Sequence, residues 1–208
     1  MALAGTIDYK IIAIKPKSYR CLSIEGEPTH YHWIRENFEI QHINGEVVHG
    51  AVSKKDGVCQ FGINSSPDAN YGQAVIKSYK FSARKVIGSL INGLSQKSTE
   101  MQTIEIPSYS VDKLIQKYNF DHVDIIHMDV QGSEYEVMQG ALKSVERDLI
   151  DYLLIGVHDK KINYKLKKLL TPKFDLIVDI YPNSLGEVPG FAPIRCGDGI
   201  QLYQRKNM

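Results

Sequence analysis

The chain is poor in the features that usually declare a function. Cys21, Cys59 and Cys196 are the only cysteines among 208 residues, and their wide spacing forms neither a CxxC pair nor a zinc-finger pattern. That excludes a thiolate metal knuckle and a disulfide framework, and leaves three reduced, mostly buried thiols. No apolar run approaches the roughly 20 residues needed to cross a bilayer, and the first residues lack the charged-then-apolar layout of a secretory leader. The expected setting is cytoplasmic, with no membrane among the partners. Charge of one sign is also missing: 25 basic and 24 acidic side chains leave +1, so no global electrostatic case favours nucleic acid or an anionic membrane. There is no phosphate-loop signature, no Ser-His-Asp order and no recognisable metal-ligand set. Internal repeats and low-complexity tracts are absent too.

What remains is a chain with 43% hydrophobic content and the length of one globular domain over 1–208. Arg20 to Glu25 reads as a strand, Pro28 opens a helix with Tyr31, Ile34 and Phe38 on one side, and Glu46 to Val52 is a second strand. Lys54 to Gly57 has the form of a hairpin turn into Val58 to Phe61. Leu3, Ile7, Ile11 and Ile14 share a helical face, although Tyr9 to Ile14 also fits a short strand. Between Gly62 and Met101 the periodicity weakens, as in an irregular insert or lid, with a short helix over Val86 to Leu94. Further strands fall at Gln102 to Ile106, Ile150 to Val157, Phe174 to Ile180 and Ile200 to Tyr203. Helices fall at Val111 to Tyr118 and over Ile162, Leu166, Leu169 and Leu170. Alternating strands and helices predict an α/β layered sheet, mostly parallel, with helices on both faces and a C-terminal antiparallel strand.

The richest stretch is Val123 to Ala141. Ile125, Ile126, Met128 and Val130 make an apolar run expected of a strand covered on both faces, while Val137, Met138, Ala141, Leu142 and Val145 recur at helical spacing. Ser133 and Glu136 have the form of a capping box. Asp129 therefore stands where the strand ends, the edge at which open α/β sheets bind ligands; the competing reading is a carboxylate that satisfies turn amides. Glu25, followed by Gly26, is a second acid at a strand end. It suits a ribose clamp, or equally a carboxylate at the positive end of the following helix. His158 closes another strand, and His127 is expected in the packed core. Lys160, Lys161, Lys165, Lys167, Lys168 and Lys173 form the densest basic cluster, whose ordinary role is a solvated face, with nucleic-acid or phosphate binding as the alternative.

Ile24-Glu-Gly-Glu-Pro-Thr-His-Tyr31, Gly50-Ala-Val-Ser-Lys-Lys-Asp-Gly57, Tyr71-Gly-Gln73, Met128-Asp-Val-Gln-Gly-Ser-Glu134 and Asp198-Gly-Ile200 resemble, in order and spacing, the successive blocks of FkbM-type S-adenosylmethionine-dependent methyltransferases. The resemblance implies a class I methyltransferase-like (Rossmann-like) fold, S-adenosyl-L-methionine as cofactor, and methyl transfer to an oxygen of a sugar, glycan or small metabolite. It implies that Glu25 binds the cofactor ribose and Gly26 lets the adenosine approach. Ala51, Val52 and Ser53 would line the adenine region, and Asp129 would face the methionine end and the acceptor. Asp129 is the first candidate base, His158 the second, with Glu134 orienting the loop or the acceptor; Tyr71, Gln73 and Gln131 are candidate substrate contacts. Gln131 stands where the family usually has glutamate. The glycine-rich loop and first central strand that open this fold have no counterpart before Glu25. This predicts a gap in the sheet, covered by an upstream segment, by Tyr9 to Ile14 or by another copy of the chain, and it keeps open a catalytically degenerate domain that acts as a binding module.

Overall fold

The computed structural model describes residues 18–64, 75, 101–186 and 193–207. The N-terminal helix or strand, the helix over Val86 to Leu94 and most of the irregular insert fall outside these residues. Residues 62–64, expected to be irregular, instead extend a strand.

The described chain is a mixed α/β structure in which β1 (Cys21–Glu25) and β2 (Gly45–His49) pair in parallel. They are linked by α1 (Pro28–Ile40). Proline at the first helical position has no N–H to leave unsatisfied and holds a helical φ. Glu27 caps the turn, its Oε2 accepting the N–H of His30 at 2.6 Å. Despite its apolar stripe, α1 has no buried residue.

β3 (Ala51–Val52) lies parallel to β5 (Met101–Tyr109), and β4 (Gly57–Asn64) runs antiparallel along the other edge of β5. The expected hairpin across Lys54 to Gly57 is therefore corrected: β3 and β4 are separated by β5 and share no ladder. With two residues, β3 is too short to hold a hairpin partner of eight. Ala51, Phe61 and Ile106 form a small core on this sheet.

The principal sheet has the order β6 (Val123–Met128), β7 (Ile150–Val157), β11 (Gly199–Arg205), β8 (Phe174–Ile180). β6 is parallel to β7, and β11 is antiparallel to both β7 and β8, so β6, β7 and β8 point the same way and the last strand runs against them. α2 (Val111–Lys117), α3 (Glu134–Gln139), α4 (Leu142–Glu146) and α5 (Lys160–Leu170) accompany this sheet. Met138, Ile150, Leu153, Ile155, Leu166 and Leu170 are fully buried in its core. A two-stranded antiparallel pair, β9 (Ser184–Gly186) with β10 (Ile194–Cys196), had no signal in the sequence.

Three local expectations change. Ser133 precedes α3 but makes no side-chain cap. The helix expected through Val145 is broken at Gly140 and Ala141, where the Gly140 carbonyl accepts the Asp112 N–H at 2.9 Å and the Ser144 N–H, its partner in a continuous helix, donates to Asp112 Oδ1 at 2.8 Å; Gly140 also packs closely, since a Cβ there would meet the Ser53 carbonyl at 2.4 Å. Within β6, Met128 is buried but Ile125 is 54% exposed and His127 is exposed. Ile125 and His127, two apart, lie on one face of the strand, so the cover on both faces expected of this strand is missing on that side.

Candidate functional site

Asp129 follows the last residue of β6, and the chain then turns sharply through Gln131 (φ 48°) and Gly132 (φ 91°). Two successive left-handed residues are uncommon, and glycine takes the second without Cβ strain. The turn drops Glu134, the first residue of α3, beneath the loop, where it is completely buried. Its Oε1 accepts the Gly132 N–H at 2.9 Å and lies 2.6 Å from Nδ1 of His158, the residue after β7. Because that oxygen already accepts one N–H, the matching partner is a protonated Nδ1. His158 Nε2 then faces the rim, 3.1 Å from Asp129 Oδ1 and 4.0 Å from Asp198 Oδ2. The first of these is an ion-pair distance without hydrogen-bond alignment, and Nε2 is buried with no hydrogen-bond partner among the described residues.

Parallel pairing of β6 with β7 brings Asp129 beside His158, and the register of β11, with Gly199 opposite Val157, brings Asp198 to the same place. Gly156 backs onto the cluster: a Cβ there would touch Asp129 at 3.4 Å. Gln131 Nε2 donates to Asp129 Oδ1 at 3.4 Å. The structure thus assembles Asp129, Gln131, Glu134 and His158 from the sequence-predicted set. Such a group can hold an imidazole in one tautomer and orientation, with its second nitrogen beside Asp129 and not engaged in a hydrogen bond among the described residues. Sequence reasoning missed the place of Asp198; its signal was the Asp-Gly turn directly before an antiparallel strand.

The predicted cofactor residues are arranged differently. Glu25 Oε1 accepts the N–H of Glu27 at 2.7 Å, which is the helix-entry role, while Oε2 makes no hydrogen bond among the described residues. No hydrogen bond or ion pair among these residues joins Glu25 to Asp129. Gly26 is required by packing, since a Cβ would lie 2.8 Å from the Phe61 ring; its carbonyl lies 3.1 Å from His49 Nε2. Ala51 is buried in the small core and Val52 packs on the main one. The Ser53 N–H donates to the Tyr109 carbonyl at 2.8 Å. Tyr71 and Gln73 lie outside the described residues.

Two further polar groups escaped the sequence reading. Beneath the rim, Asp179 Oδ1 accepts from Asn163 Nδ2 at 3.0 Å and Gln201 Nε2 at 3.1 Å, Lys167 pairs with its other oxygen, and Tyr203 donates to Gln201 at 2.9 Å. Burial alone would raise the Asp179 carboxyl, but the hydrogen bonds from Lys167, Asn163 and Gln201 outweigh it and hold the group below its ordinary range; burial pushes the Tyr203 phenol up. At the opposite end of β6 and β7, ligand atoms of His122, Asp124 and Asp151 lie within 4.8 Å of one another, where Arg205 already holds Asp151 at 2.9 Å. Burial raises the thiols of Cys21 and Cys59, both free and half-buried.

An α/β chain with an acid–histidine cluster at the carboxyl ends of adjacent parallel strands has the layout of a group-transfer or ligand-binding domain. The sequence profile described as Methyltransferase FkbM domain matches residues 9–181, and the chain belongs to that family. It is 22% identical over 190 residues to a curated protein of Jannaschia sp. (strain CCS1) provisionally named a methyltransferase. The alignment covers 90% of this chain, which spans 63% of the length of that relative. No solved structure matches.

Proposed function

We propose that the protein is an S-adenosylmethionine-dependent methyltransferase with a class I, Rossmann-like arrangement, acting on a hydroxyl of a sugar, glycan or small metabolite. Family membership supports the reaction class. The observation that carries the assignment of roles is the imidazole of His158, fixed through Nδ1 by buried Glu134 and presenting Nε2 beside Asp129.

S-Adenosylmethionine, when bound, would supply the electrophilic methyl group. The donor set fits it in part: Glu25 retains one carboxylate oxygen for a ribose hydroxyl, and Asp129 stands at a strand end with its side chain half exposed. This chain's own residues then position the acceptor and manage its proton. His158 Nε2 would accept the proton that the acceptor hydroxyl loses on methylation. Glu134 holds the ring in place, and Asp129 orients the hydroxyl or receives the Nε2–H of the resulting imidazolium. His158 displaces Asp129 as the leading base because its geometry is fixed at Nδ1, and positioning is the chief physical demand of this transfer. Calorimetry with S-adenosylhomocysteine, followed by methyl transfer to a panel of hydroxylated acceptors, tests the reading. His158→Ala should retain binding and lose about 10²- to 10⁴-fold in transfer. Undiminished turnover in that variant refutes the base; absence of one-site binding by the unaltered chain favours a degenerate binding module.

A further inference from the structure

The net charge of +1 conceals a strong polarisation. Residues 160–174 contain six lysines and no acid; the other 19 basic residues face all 24 acidic ones elsewhere, which leaves the rest of the chain at −5. Five of these lysines lie on α5, whose opposite face, with Leu166 and Leu170, is buried in the core. Lys167 turns aside to Asp179 and Tyr181. Lys160, Lys161, Lys165 and Lys168 are exposed, without a carboxylate partner among the described residues; Lys165 rests its ammonium over the Tyr135 ring at 5.2 Å. The nearest acid in sequence, Asp159, is occupied by capping the helix, accepting from the N–H groups of Lys161 and Ile162. Amid these lysines Tyr164 is 69% exposed.

We propose that this face of α5 docks the protein on an anionic phospholipid surface. The cations are all lysines, compact point charges suited to a diffuse layer of headgroups; none is an arginine, whose planar fork would mark recognition of an individual phosphate. An exposed tyrosine among lysines fits the polar–apolar boundary of a bilayer, where an aromatic ring sits with its hydroxyl toward water. The face is the outside of a helix locked into the core by its other side, so it meets a plane without rearranging. Lys160 lies two residues beyond His158. Docking would therefore hold the rim of the site close to the lipid surface, a consequence that rests on the reading of that rim as the active site; the docking itself does not.

Co-sedimentation of the full chain with vesicles tests this. The protein should pellet with phosphatidylcholine vesicles containing phosphatidylglycerol and not with pure phosphatidylcholine, and binding should weaken steeply with salt. Reversing Lys160, Lys161, Lys165 and Lys168 to glutamate should weaken it at least about a hundredfold. A control that reverses Lys55, Lys113, Lys117 and Lys143, with the same change in total charge, should remain within about threefold of the unaltered chain, and thermal melting checks that both variants fold. Tyr164→Ala, a milder change, should weaken binding several-fold. Failure to pellet with anionic vesicles, equal loss in both charge variants, or displacement from the vesicles by an equal mass of RNA overturns the proposal.

Discussion

Helices α1 and α5 occupy equivalent places in two parallel strand–helix–strand units, with 13 and 11 residues respectively, yet they differ in what they bury. α5 sinks Asn163, Leu166 and Leu170 against the principal sheet, whereas α1 buries nothing. The reason is the sheet beneath each. α5 lies over β7 and β8 with β11 inserted between them and α3 alongside, so its apolar stripe finds a continuous floor. α1 lies over one two-stranded ladder, and among the described residues no third strand extends it. The proposed proton-handling cluster stands on the well-packed unit, and the proposed ribose carboxylate Glu25 on the thinly covered one.

Mutation can sharpen or break the contrast. The largest effect is expected for Leu170→Ala, which should cost about 2–5 kcal/mol in urea denaturation, as for other fully buried leucines; Ile34→Ala, the corresponding change on α1, should cost less than about 1 kcal/mol. Equal losses would mean that α1 carries as much packing as α5. Next, Gly140→Ala forces a methyl group onto the Ser53 carbonyl and should cost about 1–3 kcal/mol, measured in the same way; a neutral result would show that the segment after β3 gives way freely and does not couple the small core to the large one. Smallest is a pH effect confined to the principal sheet. Asp179 has a depressed carboxyl, so its contribution is complete above the unfolded value near 4 and disappears as pH falls through the lower folded value. Asp179→Asn should therefore flatten the acid side of the stability curve while leaving the exchange of α1 amides unchanged.

The elements that were legible in the sequence were those whose burial obeys a simple period. Ile150–Val157 and Phe174–Ile180 were read to the residue because each is bounded by polar or turn residues and packed on the principal sheet. The break in the helix after Gln139 was not legible, since the Gly140 carbonyl and Ser144 N–H are both taken by Asp112, far away in sequence. His127 and Ile125 were misplaced because an apolar run does not say whether both faces of its strand are covered. At the site, the rim positions of Asp129 and His158 followed from strand endings, and Glu134 from the resemblance. The tandem left-handed turn that buries Glu134 has no periodic signature, and neither has the cross-sheet register that delivers Asp198. Gly26 carried a signal of close approach, but the approaching group is Phe61.

The insertion of β11 between β7 and β8 also bears on the order in which the protein is made. β7 and β8 share no ladder of their own, so a nascent chain that has released α5 and β8 still holds two unjoined pieces until residues 199–205 leave the ribosome. Only then are Gly199 and Ile200 set against Val157 and Gly156, and Asp198 against the imidazole. The wall of the cluster is thus closed by the strand that is synthesised last of the four in this sheet.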